Sequence, residues 1–544
     1  MNGIAPYESS EEDYETEVML YDRTKTRRIR HHLSRVEPNY EDEDKTSIRP
    51  LTQEDDYFDK EDTDEEITYS VGEAVDMIGF GWFQIRLMMI IGFFQAAESL
   101  EMMLLSILAP TIRCLFHISA WKEAFITTVV FIGMMFGSAV WGWVADKYGR
   151  KLVIVASAVW ISYFGFLSAF SPHYYWIIAL RMLVGFGIGG GPQSSTLISE
   201  FMPSKYRAMC MCVQSPWWTT GSIFTILIAM VVMPTFGWRY LLAILSFPLL
   251  IFVLISKWLP ESCRYYLTVG LRDKSLSVLY KIARMNKAAV PRGYLKDTMQ
   301  TAKRGRIRDL LNKEFFGSTL KLWFLWFNVA FTYYGIVLMT AELFQSESEN
   351  GGKCEAAKGT VKNPHCGCKL LTTTDYIDMM KTTVAEVPTV IFNVILLEKL
   401  GRKKTLALLY SLTAIFYMLL FFCTKRALMV VFIFGVRGCI SGVFTATYIY
   451  TAEFYPTVIR GLGLGCCSSV ARIGAMVTPF ICQVLLRFSM DFALGVYATT
   501  AVISVVVCLF LPIETKGRIM RVSKLSNKTR GKQSGDGPVH HFNW

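Results

Sequence analysis

The stretch Gly142-Trp-Val-Ala-Asp-Lys-Tyr-Gly-Arg-Lys151 recurs in altered form roughly 250 residues later, as Glu398-Lys-Leu-Gly-Arg-Lys-Lys404. Val394 stands where Gly142 would repeat, so the two copies have diverged. Two more segments repeat at nearly the same spacing: Glu200-Phe-Met-Pro203 as Glu453-Phe-Tyr-Pro456, and Leu259-Pro-Glu261 as Leu511-Pro-Ile-Glu514. Three repeats with one spacing indicate that the chain consists of two related halves.

Long apolar runs fill both halves. They cover approximately residues 85–110, 124–145, 152–171, 175–197, 208–232, 238–259, 322–343, 376–397, 403–423, 427–450, 461–483 and 491–511. Each run has about the ~17–25 residues that a helix needs to cross a ~30 Å hydrocarbon core. In an open chain, only helices satisfy their own backbone hydrogen bonds there. The sequence therefore predicts an all-α membrane protein with twelve transmembrane helices in two pseudo-symmetric six-helix bundles.

The composition of the 544 residues agrees with a membrane protein. Hydrophobic residues make up 52% and charged residues 19%, and the mean hydropathy is +0.33. Soluble proteins contain about 25% charged residues. These values exclude a soluble enzyme and a disordered scaffold. Thirteen cysteines in this length are too few for the disulfide framework of a small secreted module.

Charge is distributed unevenly along the chain. Residues 1–70 hold 21 Asp and Glu against 9 Lys and Arg, whereas residues 260–321 hold 14 Lys and Arg against 5 Asp and Glu. Alternate loops are basic, and the intervening loops 171–174 and 234–237 contain no Lys or Arg. By the positive-inside rule, both termini and the central loop should be cytosolic. The net charge of +11 therefore reports topology, and we expect no nucleic-acid binding.

These patterns divide the chain into five segments. We expect a disordered acidic cytosolic tail over residues 1–75 and an N-terminal bundle over 76–259. A cytosolic central loop should cover 260–321. The C-terminal bundle should cover 322–512, with a luminal loop at 344–373, and a basic cytosolic tail should cover 513–544.

The repeated segments resemble the signatures of the major facilitator superfamily over residues 75–520. Two of them are similar to its sugar-porter and organic-ion-transporter branch, Pro260-Glu-Ser-Cys-Arg264 and Pro512-Ile-Glu-Thr-Lys-Gly517. Others are similar to a subgroup found in synaptic-type secretory vesicles: Glu98-Ser-Leu-Glu-Met-Met103, Gly185-Phe-Gly-Ile-Gly-Gly190, Tyr333-Tyr-Gly335 and Leu511-Pro-Ile-Glu-Thr-Lys-Gly517. The resemblance implies a carrier in vesicle lipid, without a cofactor, that moves a small organic solute by alternating access. The alternative is a transporter-derived binding or regulatory protein without solute flux.

The resemblance also implies charge pairs at the cytosolic ends of the helices. It predicts the pairs Arg150–Glu200, Arg207–Glu261, Arg402–Glu453 and Arg460–Glu514. It places Asp146, whose counterpart is Glu398, near the N-terminus of the eleventh helix, where the helix dipole favours an anion. Such a latch would hold the two halves together while the cavity faces the lumen. Anchoring of the topology by basic loop residues is the alternative.

Ionisable residues interrupt several apolar runs, where a charge costs several kcal/mol unless it is paired or hydrated. They are Glu98, Glu101, Arg181, Glu386, Arg437 and Arg472. At 1.5 Å per residue, Glu101 and Arg181 should lie ~13 Å and ~9 Å from the luminal surface, so they can meet. Glu98 lies one turn deeper on the same face, and matched depths also bring Glu386 near Arg437. Resemblance to proton-coupled sugar porters implies a proton-carrying pair, and an ion pair that never titrates is the alternative.

Aromatic and polar side chains on the fifth and seventh runs are candidates for lining a cavity. They are Gln214, Trp217, Trp218, Asn328, Tyr333 and Tyr334. Aromatic rings can stack on a planar solute or attract an organic cation. Packing against lipid or another helix is the alternative for each of them.

Cysteines and glycines complete the set of candidate features. Four cysteines lie in or near predicted luminal loops, where the oxidising secretory pathway makes one or two disulfides plausible: Cys114, Cys354, Cys366 and Cys368. We predict no metal site and no catalytic constellation. The glycine-rich segment 185–191 follows no strand, so close helix packing is a better interpretation than a dinucleotide site.

Overall fold

The computed structural model describes residues 68–296, 307–346, 371–422 and 425–516. A short strand β1 (Thr68–Tyr69) pairs in parallel with β2 (Tyr294–Leu295). The other regular elements of the described residues are helices. The predictions for the acidic tail up to residue 67, for residues 347–370 of the luminal loop and for the basic tail from residue 517 lie outside the described residues.

The first half contains eight helices among the described residues. They are α1 (Val71–Ile78), α2 (Trp82–Phe116), α3 (Ala120–Tyr148), α4 (Arg150–Ser168), α5 (Tyr174–Ile188), α6 (Pro192–Phe201), α7 (Arg207–Thr235) and α8 (Trp238–Ile255), which a 3-10 turn extends to Trp258. Helices α5 and α6 form one membrane crossing, interrupted at Gly189–Gly191. The described part of the central segment contains α9 (Cys263–Thr268), α10 (Arg272–Met285) and α11 (Ile307–Leu310).

The second half repeats the pattern with its own interruptions. Its helices are α12 (Phe316–Ser346), α13 (Thr373–Val384), α14 (Glu386–Lys399), α15 (Arg402–Leu419), α16 (Arg426–Phe454), α17 (Thr457–Pro479), α18 (Leu486–Phe488) and α19 (Met490–Leu509). Helices α13 and α14 form one crossing that breaks at Ala385. A π-helical segment, Phe480–Leu485, joins α17 to α18.

The twelve predicted membrane crossings are present. Among the described residues, 11 helices or helix pairs are long and apolar enough to span a bilayer. The twelfth crossing is α15, which has 18 residues. It begins with three consecutive basic residues, Arg402 to Lys404, which lower its apolar content.

Residues 68–75 form regular structure, whereas the sequence predicted a disordered tail up to residue 75. Ser70 starts α1 with a capping box, because its hydroxyl accepts from the Glu73 N–H at 3.3 Å and Glu73 accepts from the Ser70 N–H at 2.8 Å. Farther along the chain, Asn286 ties the end of α10 to the start of α2. Its Oδ1 accepts from the Phe83 N–H at 3.0 Å, and its Nδ2 donates to Gln84 at 2.8 Å.

Glycines allow α3 and α5 to pack backbone against backbone. A Cβ on Gly133 would overlap the carbonyl oxygen of Met182, and one on Gly185 would overlap that of Val130. Close approach through small residues is typical of membrane helices. The packing interpretation of the glycine-rich segment is therefore confirmed.

The two halves meet along α3 against α17 and along α7 against α13 and α14. We call the end of the bundle that carries Arg150 and Arg402 the basic end, and the other end, where α3 begins, the opposite end. Near the opposite end, the rings of Trp121 and Phe480 lie 5.4 Å apart. Thr128 Oγ1 donates to the carbonyl of Met476 at 3.3 Å. These contacts hold the halves together at the opposite end.

Candidate functional site

A buried ion pair joins α2 to α5 in the first half. Nη1 of Arg181 lies 2.8 Å from Oε2 of Glu101, and each side chain is 1% exposed. The carboxylate packs on α4, where a Cβ on Gly165 would lie 2.9 Å from Glu101 Oε1. This is the pair that the depth arithmetic predicts. Its burial makes each charge dependent on the other, because an unpaired buried charge is strongly destabilising.

A second buried pair lies in the second half of the chain, and its carboxylate also contacts the first half. Arg437 Nε on α16 is 2.9 Å from Oε1 of Glu386, the first residue of α14. The other carboxylate oxygen accepts from Thr219 Oγ1 on α7 at 2.9 Å. Matched depths predicted the approach of Glu386 to Arg437. The contact with Thr219 was missed, since neither charge nor aromaticity singles out this threonine.

Tyr333 extends this second pair into a network across the interface. Its hydroxyl donates to Oε1 of Glu386 at 3.3 Å and accepts from Nε1 of Trp218 at 3.0 Å. Trp218 belongs to α7 and Tyr333 to α12, so the contact crosses from one half to the other. The Glu386 carboxylate is therefore connected to α7 twice, once directly and once through Tyr333.

The remaining cavity candidates have different surroundings. Trp217 packs on α2, where a Cβ on Gly92 would lie 2.5 Å from its ring. Asn328 donates to Ser504 Oγ at 2.6 Å and is fully buried against α19. We therefore assign Trp217 and Asn328 to helix packing. Gln214 Nε2 lies 3.5 Å from the carbonyl of Met88, and its Oε1 has no partner among the described residues.

Tyr334, Glu98 and Arg472 lie where α2, α12 and α17 approach each other. The ring of Tyr334 is 4.8 Å from that of Phe131 on α3, and its side chain interacts with Arg472. Glu98 is 4% exposed and lies near Arg472 without forming an ion pair. Charged and aromatic groups from both halves thus meet near the centre of the bundle.

The basic end contains the same ion pair twice. Arg150 Nε lies 3.5 Å from Oε1 of Glu200, and Arg402 Nη2 lies 2.7 Å from Oε1 of Glu453. A hydroxyl donates to each glutamate from the segment that follows the sixth or twelfth crossing, from Ser262 to Glu200 and from Thr515 to Glu453. These two pairs, which the resemblance implies, are formed, and each joins helices of a single half.

The predicted pairs Arg207–Glu261 and Arg460–Glu514 are wrong, because both glutamates bind backbone instead. Glu261 accepts from the N–H groups of Arg150 at 2.9 Å and Lys151 at 3.1 Å, the first two residues of α4. Glu514 accepts from the first two residues of α15 at 2.7 and 3.0 Å. Unsatisfied N–H groups and the positive end of the helix dipole attract these carboxylates. Burial nevertheless raises the pKa of Glu261.

The two arginines of those predicted pairs contact the C-termini of the preceding helices. Arg207 Nη2 donates to the carbonyl of Met202, which caps α6, and Arg460 Nε donates to that of Tyr455, which caps α16, both at 3.3 Å. Cations are favoured there by the negative end of the dipole. Burial and the nearby charge of Arg264 lower the pKa of Arg207.

The aspartate of the predicted latch remains largely in solvent. The Asp146 side chain is 58% exposed and lies 3.8 Å from Arg150, and Glu398 is exposed. The described ion pairs of the basic end therefore join helices within one half. They do not join the two halves, as the latch hypothesis required.

The helix caps of the basic end give a testable prediction. Gly149 has φ +103°, and a Cβ there would overlap the Glu261 carboxylate. We expect Gly149→Ala to lower the free energy of unfolding by about 1–3 kcal/mol, through backbone strain and displacement of the cap. Thermal unfolding of the purified protein measures this.

Two other glycines provide controls for that prediction. Gly142 lies within α3 with nothing within 4 Å of its Cβ position, so Gly142→Ala should be neutral or slightly stabilising. Gly237 has φ +83° and open space, so Gly237→Ala reports strain without a clash. Equal melting temperatures for the Gly149 and Gly142 variants would contradict the assigned cap.

A charge cluster at the opposite end was missed from the sequence. Arg487 Nη2 lies 2.8 Å from Glu342 and 3.1 Å from Glu123, whose second partner is Arg113 at 3.7 Å. Glu123 and Glu342 are 0% and 6% exposed. These residues adjoin or end predicted apolar runs, where a charged residue carries little signal. The same depth arithmetic applied to the ends of the runs could have found the cluster.

Cys114 takes part in a disulfide. The other candidate positions, Cys354, Cys366 and Cys368, lie outside the described residues. The remaining cysteines of the described segments are free.

Comparisons with known proteins agree with the repeated architecture. The family described as Sugar (and other) transporter matches residues 41–345, and that described as Major Facilitator Superfamily matches residues 379–531. The synaptic vesicle 2-related protein of Xenopus laevis is 46% identical over 460 residues, which cover 84% of this chain and 83% of the relative. The chain belongs to the major facilitator superfamily.

Further similarities agree with this major facilitator assignment. The synaptic vesicle 2-related protein of Rattus norvegicus is 45% identical over 84% of this chain and 83% of its own length. A partially occluded inward-open structure of the xylose transporter XylE from E. coli has the same fold. It is 14% identical, with a TM-score of 0.62, and the match covers 81% of this chain and all of that one.

The major facilitator superfamily is a family of transporters and not an enzyme class. In this fold, substrate and coupling-ion sites lie near the bilayer midplane, where the two repeats meet. The Trp218–Tyr333–Glu386 network and the Glu98 and Arg472 side chains lie at that interface in this chain. Together they can offer a solute hydrogen bonds, aromatic faces and both signs of charge.

Proposed function

We propose that this chain is a secondary transporter that moves a small organic solute across a vesicle membrane by alternating access. The hydrogen-bonded network around Glu386 is the observation that carries the proposal. It places a charged group of one half in direct contact with Thr219 of the other, at 2.9 Å. A contact of this kind must change when the halves rock against each other, so it can respond to a bound solute.

The distribution of contacts supports alternating access. Charge pairs and helix caps at the basic end lie within single halves, whereas Trp121–Phe480 and Glu123–Arg487 join the halves at the opposite end. This arrangement leaves each half internally braced, so that the two can move as bodies. The positive-inside rule supports placing the basic end in the cytosol. The names of the vesicle-related relatives support a vesicle membrane.

Proton coupling is the further part of the proposal, and it rests on the pair of Glu101 and Arg181. A carboxylate that loses its arginine when the halves rearrange must be rehydrated or take up a proton, because an unpaired charge is too costly inside the membrane. The vesicle proton gradient would then drive the solute. A structural ion pair that stays closed throughout is the competing account.

Proteoliposomes that contain the purified protein test this function. We expect a metabolite screen to identify a solute that enters, and a pH gradient to drive its accumulation. In Glu101→Gln, gradient-driven accumulation should fall by roughly an order of magnitude while solute exchange without a gradient continues. Glu314→Gln, an exposed carboxylate outside the crossings, is the matched control and should behave as the wild type.

The alternative functions predict different outcomes in the same vesicles. Accumulation that is unchanged in Glu101→Gln would rule out proton carriage by this residue and leave facilitated transport. If solutes bind but none crosses the membrane under any gradient, the protein is a binding or regulatory partner rather than a carrier.

A further inference from the structure

We propose that Glu98 and Arg472 bind the two charges of a zwitterionic solute, such as an amino acid or a betaine. Glu98 would take the cationic group and Arg472 the anionic group. This inference rests on the proposed transport function and adds the chemical class of the solute. It comes from two ionisable side chains, one from each half, that lie near each other without forming an ion pair and that keep unused hydrogen-bonding capacity.

Glu98 is a buried carboxylate without a protein partner. It is 4% exposed, and no donor of the described residues lies within hydrogen-bond distance of it. A Cβ on Gly191 would lie 2.6 Å from both of its oxygens, so the carboxylate rests on the break between α5 and α6. The N-terminal end of α6 favours negative charge, yet it supplies no hydrogen bond. An unpaired buried charge within the membrane is by default a functional hypothesis.

Arg472 is a half-buried guanidinium with unused donors. Its Nη1 contacts only the thioether sulfur of Met134, at 3.8 Å, and its buried Nε has no partner among the described residues. Tyr334 interacts with it from α12. A guanidinium carries five N–H donors in a planar fork that suits a carboxylate. Most of that capacity remains available to a bound anion.

The two side chains occupy the same depth in the bundle. Glu98 lies 16 residues from the start of α2 at Trp82, or ~24 Å along the helix, and Arg472 lies 15 residues from the start of α17 at Thr457, or ~22 Å. Both helices start from the basic end. The two charges are close enough to attract each other, yet they do not meet as an ion pair. Phe131 and Tyr334, whose rings are 4.8 Å apart, lie beside them.

A zwitterion fits this arrangement better than an ion of a single sign. A cation would neutralise Glu98 but leave the arginine unmatched, and an anion would do the reverse. A solute with both charges can satisfy both groups at once and connect α2 of one half to α17 of the other. Only such differential contact with the two halves can shift the equilibrium between their arrangements.

Thermal stabilisation of the purified full-length protein tests the assignment without relying on transport. The probes are β-alanine, γ-aminobutyrate and glycine betaine, with butyrate and butylamine as the counterparts of single charge. We expect at least one zwitterion to bind at least roughly tenfold more tightly than either counterpart. If no zwitterion in the panel stabilises the wild type, or if all bind no better than butyrate or butylamine, the proposal is overturned.

Variants assign the two ends of the solute. In Glu98→Gln, zwitterion affinity should fall to that of butyrate, whose own binding should not weaken. In Arg472→Gln, it should fall to that of butylamine. Should a neutral variant not fold, Glu98→Asp and Arg472→Lys keep the charges and should alter the preferred probe length. Unaltered zwitterion affinity in all folded variants contradicts the site.

The failure of this site and the failure of the proposed function would look different. A wild type that binds zwitterions but moves none across proteoliposomes contradicts transport and leaves the site intact. Transport of an uncharged solute at the same rate by the wild type and by Glu98→Gln contradicts the site and leaves the transport function intact.

Discussion

Replacing Arg437 by methionine is expected to lower the free energy of unfolding by about 3–5 kcal/mol, because it leaves the Glu386 carboxylate buried without a counter-charge. Arg437 is 1% exposed and its Nε lies 2.9 Å from Glu386 Oε1. Tyr333 and Thr219 would still donate to that carboxylate, but two neutral hydroxyls do not replace a guanidinium. The melting temperature of the purified protein and its yield in the membrane report the loss.

Two further variants separate charge from packing in this prediction. The double variant Arg437→Met with Glu386→Gln removes both charges and should regain most of the lost stability. Arg426→Met provides the matched control, since Arg426 lies on the same helix and pairs with Asp375 and Asp378 but is 26% exposed. Because Asp375 keeps its Thr372 donors and Asp378 keeps Lys381, we expect that change to cost less stability than the loss of Arg437. An Arg437 variant no less stable than the Arg426 variant would show that Glu386 does not depend on its arginine.

Sequence reasoning predicted the architecture and the two buried ion pairs for definite physical reasons. The apolar runs and the repeated segments fix the number of crossings and the two halves. The pairs of Glu101 with Arg181 and of Glu386 with Arg437 follow from counting residues from one membrane surface, because helical rise converts sequence position into depth. Depth limits the possible partners so strongly that Glu101 and Glu386 each lie beside the arginine expected of them.

The predictions failed where the true partner is backbone. Glu261 and Glu514 cap the N-termini of α4 and α15, and Arg207 and Arg460 contact helix C-termini. Pairing acids with bases along the sequence considers side chains alone, whereas a helix end offers a carboxylate several N–H donors. Thr219 was missed for a related reason, since a neutral hydroxyl carries no signal in a charge pattern.

The repeated caps explain how an internal duplication can build two rigid bodies. In each half, one glutamate binds an arginine and a hydroxyl, and a second glutamate caps the helix on which that arginine lies. In each half, both features link the third crossing of that half (α4 or α15) to the segment that follows its last crossing. Each half is thus braced internally at the basic end, and the proposed alternating access would have to change the contacts between the halves near the centre and at the opposite end.

We expect Arg487→Gln to open the opposite end of the protein. Arg487 holds Glu342 of the second half and Glu123 of the first at 2.8 and 3.1 Å. Without its charge, no cation bridges the two buried carboxyl groups across the interface, and only Arg113 is left, 3.7 Å from Glu123. A thiol placed at Thr128, which is 6% exposed and contacts α17, should then react with a maleimide roughly tenfold faster, a shift of ~1.4 kcal/mol in the opening equilibrium.

Arg426→Gln is the matched control for this last prediction. Arg426 lies at the same end, is 26% exposed against 28% for Arg487, and also pairs with two carboxylates, Asp375 and Asp378. Asp375 and Asp378 belong to the same half as Arg426, so the loss of Arg426 should lower stability without exposing the thiol at position 128. Subtracting the labelling of the same variants without that thiol corrects for native cysteines. Equal labelling in the two variants would show that the arginine between the halves does not hold the opposite end closed.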